Sequence, residues 1–488
     1  MHRNSARGKI DIHVCFQKSR LSKVPAFIPP RWSGRGIGAH RPACIQHPGN
    51  AATLFGMTTG PTLPERPQLR PIEVSRVSHE GSDFFLLKDP RHLSEQSLVV
   101  PALLGPYLQN IDGTNTIVEI TDVALSTGAQ PVPPGVLSEL VGRLDEVFLL
   151  ANGSYTGEMQ KRLNEYRNAP ARKSALADLA YPGRPDDLRA YLDGLAFPYM
   201  LDTEDLATGG QAPDDMRTTR ELKAILSPHI DFERGGDSYA MIWEQVRSEL
   251  REVELFVVFG TDHNGDGPRL TLTNQNYESP IGGLETDREL VGELAKILSA
   301  DESIDDHPFA DEFNHVGEHS IELASVWLHR AVGSSQAKML PVLCGSLARA
   351  LPEGGPGVEA HPQISSVIGR LKDTAGRRRT VFIAAADLSH VGPAFGDPEP
   401  SPPDSNNREQ VRMRDEQLLA AFAEGDRLGF LELIRSDLDS NRVCGLAPIY
   451  MTLWAAGAST GVWNGYQQCQ ADENDTSFVS IAGAALYG

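Results

Sequence analysis

The second half of the chain contains four apolar, strand-like runs, each followed directly by a polar cluster. The runs cover residues 223–227, 255–260, 338–343 and 381–386, and helical stretches separate them. Strands that alternate with helices favour an α/β sheet with helices on both faces. In such a sheet the loops at the carboxyl ends of the strands line one crevice. The sequence therefore predicts a functional site at one edge of an α/β sheet.

Three of these clusters bring histidine to the expected edge. His229 follows the first run, His263 follows the second, and the fourth run ends at Asp387 and His390. Taken alone, such histidines are often hydrogen-bonded loop residues, and Asp387 with His390 could form a buried structural pair. The three-residue spacing of that pair also allows the two side chains to orient each other for proton transfer. Together, imidazoles and a carboxylate suit a transition metal such as iron, copper or zinc.

Five further residues lie in or next to these clusters or in similar polar motifs. Glu318 and His319 open a helix, where capping alone explains the carboxylate and a functional role places both side chains at the crevice rim. Cys444 precedes an apolar helix, where a thiolate would be stabilised and could ligate a soft metal, although core packing is the simpler interpretation. Asp262 is expected to cap a helix or face solvent, and Cys344 to lie in the core.

The composition bounds the class of protein. The chain has 488 residues, enough for two or three domains, and its formal net charge is -20. That acidic balance argues against nucleic-acid binding. No run of about 18 apolar residues is present, so no membrane-spanning helix is expected. The cysteines are widely spaced and form no Cys-x-x-Cys pair, which argues against a disulfide framework and favours a reducing, cytoplasmic setting.

The start of the chain differs from the rest in charge. Residues 1–50 contain nine Lys and Arg side chains and one acid, nine minus one giving a net of +8. Arg-rich, acid-poor segments include transit peptides. We prefer a disordered extension over residues 1–64, with Met57 as the natural start.

Residues 65–150 form the first expected domain. Runs at 74–79 and 84–87 predict a hairpin, and three short helical patterns follow it. A hairpin with three helices is a winged-helix pattern, but residues 71–150 carry four basic and eleven acidic side chains, a poor balance for binding DNA. Peptide binding or docking is the better interpretation.

That first domain resembles the PqqD-like domains. The resemblance rests on Asp89-Pro90, on Leu-x-x-Ile-Asp-Gly-Thr at 108–114 and on Leu-Asp-Glu at 144–146. It implies a small winged-helix module that holds a peptide for a partner radical enzyme. The second domain follows a helical linker at 151–176 and covers 177–488.

Helical spacing predicts the main helices of that second domain. They are expected at residues 238–250, 286–300, 322–331 and 416–428.

Residues 177–488 resemble the Memo family, known in prokaryotes as AmmeMemoRadiSam system protein B. The family motifs appear in order as Pro228-His229-Ile230-Asp231-Phe232, Gly260-Thr261-Asp262-His263, Ser279-Pro280-Ile281-Gly282 with Asp287, Glu318-His319-Ser320-Ile321-Glu322, Ala385-Ala386-Asp387-Leu388-Ser389-His390, and Cys444-Gly445 with Pro448. The family shares its fold with the LigB-like class III extradiol dioxygenases. The resemblance implies an α/β domain with a central sheet flanked by helices, preceded here by the small α+β winged-helix domain.

The same resemblance implies roles for individual residues. His229, His263 and Cys444 would hold one transition metal ion, with Fe(II) favoured and copper or zinc as alternatives. Asp387 and His390 would flank the open coordination positions, His390 as the acid/base histidine. This chain departs from the family pattern in having Asp231 in place of a glycine and alanines in place of the paired serines.

Three hypotheses about function follow. The first is a cytoplasmic mononuclear metal protein with redox or dioxygenase-like chemistry on an unknown small molecule or peptide, in which Glu318 and His319 shape the rim. It would act with a radical-SAM partner and bind neither nucleic acid nor a membrane. The second is a non-catalytic module that binds a peptide or protein. The third is a carrier, in which the first domain holds a precursor peptide and the second modifies it.

Overall fold

The computed structural model describes residues 13–16, 63–79, 81–94, 96–201, 220–265, 267–300, 307–347, 361–457 and 460–488. Most of the extension expected over residues 1–64, including Met57, lies outside this described part. The chain divides into two compact units, Met1–Met159 and Gln160–Gly488. Within the described residues, no helix combines the length and the apolarity that a membrane crossing requires.

The first unit is a small antiparallel sheet with short helices. Its strands are β1 (His13–Phe16), β2 (Glu73–His79), β3 (Ser82–Lys88) and β4 (Gln96–Pro101), in the order β1-β4-β3-β2. A 3-10 turn at Ala102–Leu104 leads to α1 (Gly105–Leu108), α2 (Ile117–Ser126) and α3 (Val136–Glu146). The predicted hairpin is present as β2 and β3. Thr116 and Glu119 form a reciprocal capping box that starts α2.

The second unit is built on a mixed ten-stranded sheet. The strands are β5 (Leu222–Ser227), β6 (Leu255–Thr261), β7 (Leu270–Leu272), β8 (Tyr277–Ser279), β9 (Gly282–Thr286), β10 (Lys338–Cys344), β11 (Thr380–Ala385), β12 (His390–Val391), β13 (Thr460–Gln470) and β14 (Phe478–Tyr487). Their order is β12-β14-β5-β11-β6-β10-β9-β8, with β13 paired to β14 and β7 paired to β10. The four predicted strands are β5, β6, β10 and β11, and they form the parallel centre of the sheet.

Helices cover both faces of this sheet. They are α4 (Gly153–Asn168), α5 (Pro185–Leu201), α6 (Phe232–Val246), α7 (Arg288–Leu298), α8 (Asn314–Gly317), α9 (Ser320–Val332), α10 (Pro362–Ala375), α11 (Asn406–Ala423), α12 (Arg427–Arg435) and α13 (Leu446–Ala456), with 3-10 turns at Glu249–Glu252 and Pro393–Phe395. Alternate residues of β6 enter two separate cores, Val257 and Phe259 in one and Phe256 and Val258 in the other. A parallel sheet buried on both faces explains why its strands are continuous apolar runs. The predicted α/β fold class is confirmed.

Two predicted helices have different limits. The single helix expected at 416–428 is wrong, because α11 ends at Ala423 and α12 starts at Arg427. Gly425 adopts a φ of 66° between them. The Asp426 side chain then accepts a hydrogen bond from Gly429 N and caps the new helix. The helix expected from 238 begins earlier, at Phe232.

The register of the sheet brings three strand ends level. Ala385 at the end of β11 pairs with Ser227 of β5 on one side and with Gly260 of β6 on the other. His229 and His263 follow these strands within three residues. Their side chains therefore start from the same edge of the sheet.

Gly260 permits a close contact that this edge needs. A Cβ at this position would lie 2.4 Å from Ile321 Cγ1 and 2.6 Å from Ser320 Oγ. We expect Gly260→Ala to lower the free energy of unfolding by about 1–3 kcal/mol through overpacking. Urea unfolding measures this change.

Gly292 in α7 supplies the matched control, because a Cβ there meets nothing within 4 Å. Gly292→Ala should leave stability unchanged or raise it by up to about 1 kcal/mol through helix propensity. A Gly260→Ala protein as stable as the wild type would contradict the close packing of β6 on α9.

Candidate metal centre

Three histidines converge at the predicted edge. One ring nitrogen from each of His229, His263 and His319 lies within 4.8 Å of the others. The ring centroids are 5.2 Å apart for His229 and His263, 5.3 Å for His229 and His319, and 4.6 Å for His263 and His319. His319, expected at the rim, is thus part of the cluster itself.

His229 is buried and held in one orientation. Its Nδ1 lies 3.0 Å from the carbonyl oxygen of Ala385, so Nδ1 carries the proton and donates it. Its Nε2 lies 3.2 Å from Sγ of Cys444. Burial, together with the neighbouring His263, lowers the pKa of His229 to about 3. The ring is therefore neutral, with Nε2 available as an electron-pair donor.

One buried carboxylate holds the other two rings. Glu318 accepts hydrogen bonds from His263 N at 3.0 Å and from His263 Nδ1 at 3.0 Å. Its Oε1 also lies 3.2 Å from Nδ1 of His319 and accepts from Ser320 N at 2.9 Å. Because a carboxylate binds the Nδ1 side of both rings, the Nε2 side is left for a ligand.

The charges within this group are strongly coupled. Burial opposes a charge on Glu318, but His263 and its hydrogen bond hold the pKa of Glu318 well below its usual range. Burial likewise opposes a charge on His263, yet the same carboxylate raises the pKa of His263 overall. For His319 burial prevails over Glu318, and its pKa falls to about 4. Glu318 is therefore an anion that His263 neutralises.

Asp387 fastens the His229 loop to the end of β11. Its Oδ1 accepts hydrogen bonds from His229 N at 2.7 Å and Ile230 N at 3.2 Å, and Oδ2 lies 3.7 Å from His229 Nε2. Burial raises the pKa of Asp387. The side chain is expected to orient His390, but its recorded hydrogen bonds go to the main chain of the neighbouring loop.

Cys444 lies beside His229, two residues before α13. Burial, reinforced by Asp387, raises the pKa of the Cys444 thiol well above its usual range. In the metal-free protein, burial therefore opposes the thiolate that the start of the helix would stabilise. Gly445 N lies 3.1 Å from Asp387 O, and a Cβ at Gly445 would lie 2.4 Å from that oxygen. Glycine thus lets the Cys444 loop approach the site.

His390, three residues after Asp387, is held by contacts of its own. Its Nδ1 lies 3.1 Å from the carbonyl oxygen of Leu388, and its ring packs edge-on against Phe395 with centroids 5.0 Å apart. Burial lowers the pKa of His390 to about 4 despite the nearby Asp387. His390 is therefore a neutral imidazole.

Other residues near the site have structural roles. Asp262, expected to cap a helix or face solvent, is buried and accepts hydrogen bonds from Asn314 Nδ2 at 3.0 and 3.1 Å. That prediction was wrong because the loop after β6 turns inward. Asp231 caps α6 and pairs with Arg234, and Cys344 is buried as expected.

One further residue, Arg172, was not indicated by any pattern in the sequence. It is buried and donates to the main-chain oxygens of His315 and Glu318 and to the Glu322 carboxylate. Glu322 lies in a motif that was noted, but its arginine partner is 150 residues away in the chain. A composition or spacing pattern cannot indicate such a contact.

The donor set fits a transition metal. Nitrogens of three imidazoles lie within 4.8 Å of one another, and the Cys444 Sγ lies 3.2 Å from the Nε2 of one of them, His229. An oxygen atom engages the Nδ1 of every cluster histidine. Nitrogen and sulfur donors of this kind are preferred by zinc, copper and iron.

Replacing Glu318 should change the charge of His263. In Glu318→Gln the amide cannot neutralise an imidazolium, so we expect the pKa of His263 to fall. A pH titration of the His263 ring protons by NMR, on metal-free protein, measures this shift.

The matched control is Glu312→Gln, a buried carboxylate that binds Arg167 and Thr273 rather than an imidazole. It should leave the His263 titration unchanged. An unaltered His263 pKa in Glu318→Gln would contradict the described pairing.

The chain was compared with known proteins. Residues 172–485 match the family model described as Memo-like protein. A "MEMO1 family protein" of Aquifex aeolicus is 23% identical over 363 residues, covering 74% of this chain and 84% of that protein. A "MEMO1 family protein" of Methanococcoides burtonii is 29% identical over 239 residues, 49% of this chain and 75% of that protein. The "Protein memo-1 homolog" of Caenorhabditis elegans is 27% identical over 240 residues, 48% and 61% of the two chains.

The family match begins at Arg172, near the expected start of the second domain at 177, and includes every residue of the histidine cluster. Because it covers well over half of the chain, this protein belongs to the Memo-like protein family.

Proposed function

We propose that this protein binds one transition metal ion, with Fe(II) favoured, and uses it for redox or dioxygenase-like chemistry. His229, His263 and Cys444 are the proposed ligands, and His319 adds a third imidazole. The observation that carries the proposal is the approach of three imidazole nitrogens to within 4.8 Å. In each of the three rings Nδ1 is engaged by an oxygen atom, which is the usual arrangement of histidines that bind a metal through Nε2.

A bound iron or copper ion would supply activation of dioxygen or transfer of electrons. The residues of the chain supply proton handling and orientation around it. The pKa of His390 is about 4, so the ring is unprotonated at neutral pH. This is the form that a general base needs. Burial raises the pKa of Asp387, which favours its protonated form relative to an exposed carboxyl.

The partners form a separate part of the proposal. We propose an unknown small molecule or peptide as substrate, a cytoplasmic setting and a radical-SAM protein as partner. Support comes from the PqqD-like resemblance of residues 65–150 and from the hairpin β2–β3 followed by three helices. Those residues are acidic, which fits a peptide partner better than a nucleic acid.

One observation favours a non-catalytic alternative. Three imidazoles and a thiol are four protein donors, and four ligands close a tetrahedral structural site. A metal held by all of His229, His263, His319 and Cys444, with no open position, would mark a binding module rather than an enzyme.

Metal analysis tests the proposal directly. Anaerobically purified wild-type protein should contain near-stoichiometric iron or copper, and His229→Ala and Cys444→Ala should each lose most of it. The control is Cys469→Ala, because Cys469 is a buried thiol whose Sγ lies 3.6 Å from the Arg234 carbonyl oxygen. Wild-type protein that stays empty when offered iron, copper and zinc would exclude the metal centre and leave the binding module.

Metal binding should weaken as the pH falls. The pKa of the Cys444 thiol is raised well above its usual range, and the pKa of His263 is raised above that of a free imidazole, so a metal must displace protons that these groups keep to higher pH. Affinity for zinc should therefore increase from pH 6 to pH 8, by about tenfold per pH unit for each proton released. Calorimetry in buffers of different ionisation enthalpy counts the released protons.

Cys444→Ala provides the comparison, since the residual zinc affinity should depend less steeply on pH. A wild-type affinity that is independent of pH over this range would show that the thiol is not a ligand.

A further inference from the structure

A fully buried guanidinium lies behind the histidine cluster. Arg172 is 1% exposed, and its Nε donates to the carbonyl oxygen of His315 at 2.6 Å. Its Nη2 donates to the carbonyl oxygen of Glu318 at 2.9 Å, and its Nη1 pairs with Glu322 Oε2 at 2.5 Å. A buried charge is tolerated only when it is paired and hydrogen-bonded in this way.

Glu322 completes the pair from the first turn of α9. Besides Arg172, it accepts hydrogen bonds from Ala175 N at 2.8 Å, Leu176 N at 2.9 Å and the Tyr181 hydroxyl at 2.5 Å. The segment from Arg172 to Tyr181 is thus fastened to the start of the helix.

The guanidinium acts on both ends of the turn that precedes α9. His315 is the second residue of α8 and is itself fixed, with its Nδ1 2.7 Å from the Tyr277 hydroxyl and its Nε2 3.0 Å from the Thr271 carbonyl oxygen. Glu318 ends the turn, and its side chain holds His263 and, through Oε1, His319. The position of the Glu318 main chain therefore decides where its carboxylate lies.

We propose that Arg172 is a positioning residue for this centre: it fixes Glu318 so that the carboxylate holds His263 and His319 with Nε2 facing inward. Its effect on metal affinity rests on the proposed function, whereas its effect on ring orientation does not. Arginine suits this role because one planar fork reaches two carbonyls and a carboxylate in different directions. Lysine offers a single point charge and cannot reach all three.

Two variants test the proposal in the full-length chain. Arg172→Lys keeps the charge and removes the fork. Arg172→Met combined with Glu322→Gln removes both charges, which avoids the penalty of one unpaired buried ion. The matched control is Arg330→Met with Glu244→Gln, a buried ion pair that joins the last turn of α9 to α6. Thermal unfolding identifies the temperature range in which each protein is folded.

The first readout does not depend on metal. Long-range ¹⁵N NMR of metal-free protein, at a pH above the end of the measured His263 titration, reports which ring nitrogen of the neutral ring carries the proton. Wild type and control should show the proton on Nδ1, and both Arg172 variants should show a mixture of the two tautomers. Folded Arg172 variants that keep the wild-type tautomer would overturn the proposal, as would a control that shifts equally.

The second readout is zinc affinity, which should fall about 10–100-fold in the Arg172 variants and stay constant in the control. If wild type binds no zinc but the tautomer changes, the proposed function fails and the positioning role stands. If wild type binds zinc and the variants match it in both readouts, the positioning role fails and the metal centre stands. Should the double variant not fold, Arg172→Lys decides by the same criteria.

Discussion

The site depends on one buried carboxylate, that of Glu318. It accepts hydrogen bonds from the main chain and ring of His263 and lies within 3.2 Å of His319 Nδ1. Without that anion, His263 and His319 would lose the oxygen that fixes which of their ring nitrogens carries the proton. The cost of burying the charge is offset by His263, whose pKa it raises in return. Position and charge at this centre therefore come from the same contact.

The sheet supplies the frame on which this contact forms. Parallel pairing of β5, β11 and β6 aligns three strand ends, and burial on both faces fixes their register because a one-residue slip would exchange the two cores. Gly260 and Gly445 then allow close approach, since each would place a Cβ within 2.4 Å of a neighbouring atom. The loops that carry His263 and Cys444 can therefore pack closely because glycine has no side chain at these two positions, in addition to the attractive contacts that hold them.

Periodicity predicted the central strands because buried parallel strands are continuous apolar runs. It failed at 416–428, where one glycine with positive φ separates two helices of similar composition. It also misassigned Asp262, because a loop acid looks the same in sequence whether it turns inward or outward. The protonation of Cys444 could not be read from the sequence for a related reason: the start of a helix is visible in sequence, but the surrounding burial that raises the thiol pKa is not.

The sequence by itself determined the α/β class, the strands that carry the site and the residue types at their ends, because these depend on local periodicity and order along the chain. Only the tertiary structure decided which atoms meet. His319 joins the cluster, Asp387 bonds to the His229 loop, and Arg172 supports Glu318 from 146 residues away. Such contacts depend on packing between segments that are distant in the chain. Their stabilising free energy comes from both segments together, so no local sequence pattern can indicate them.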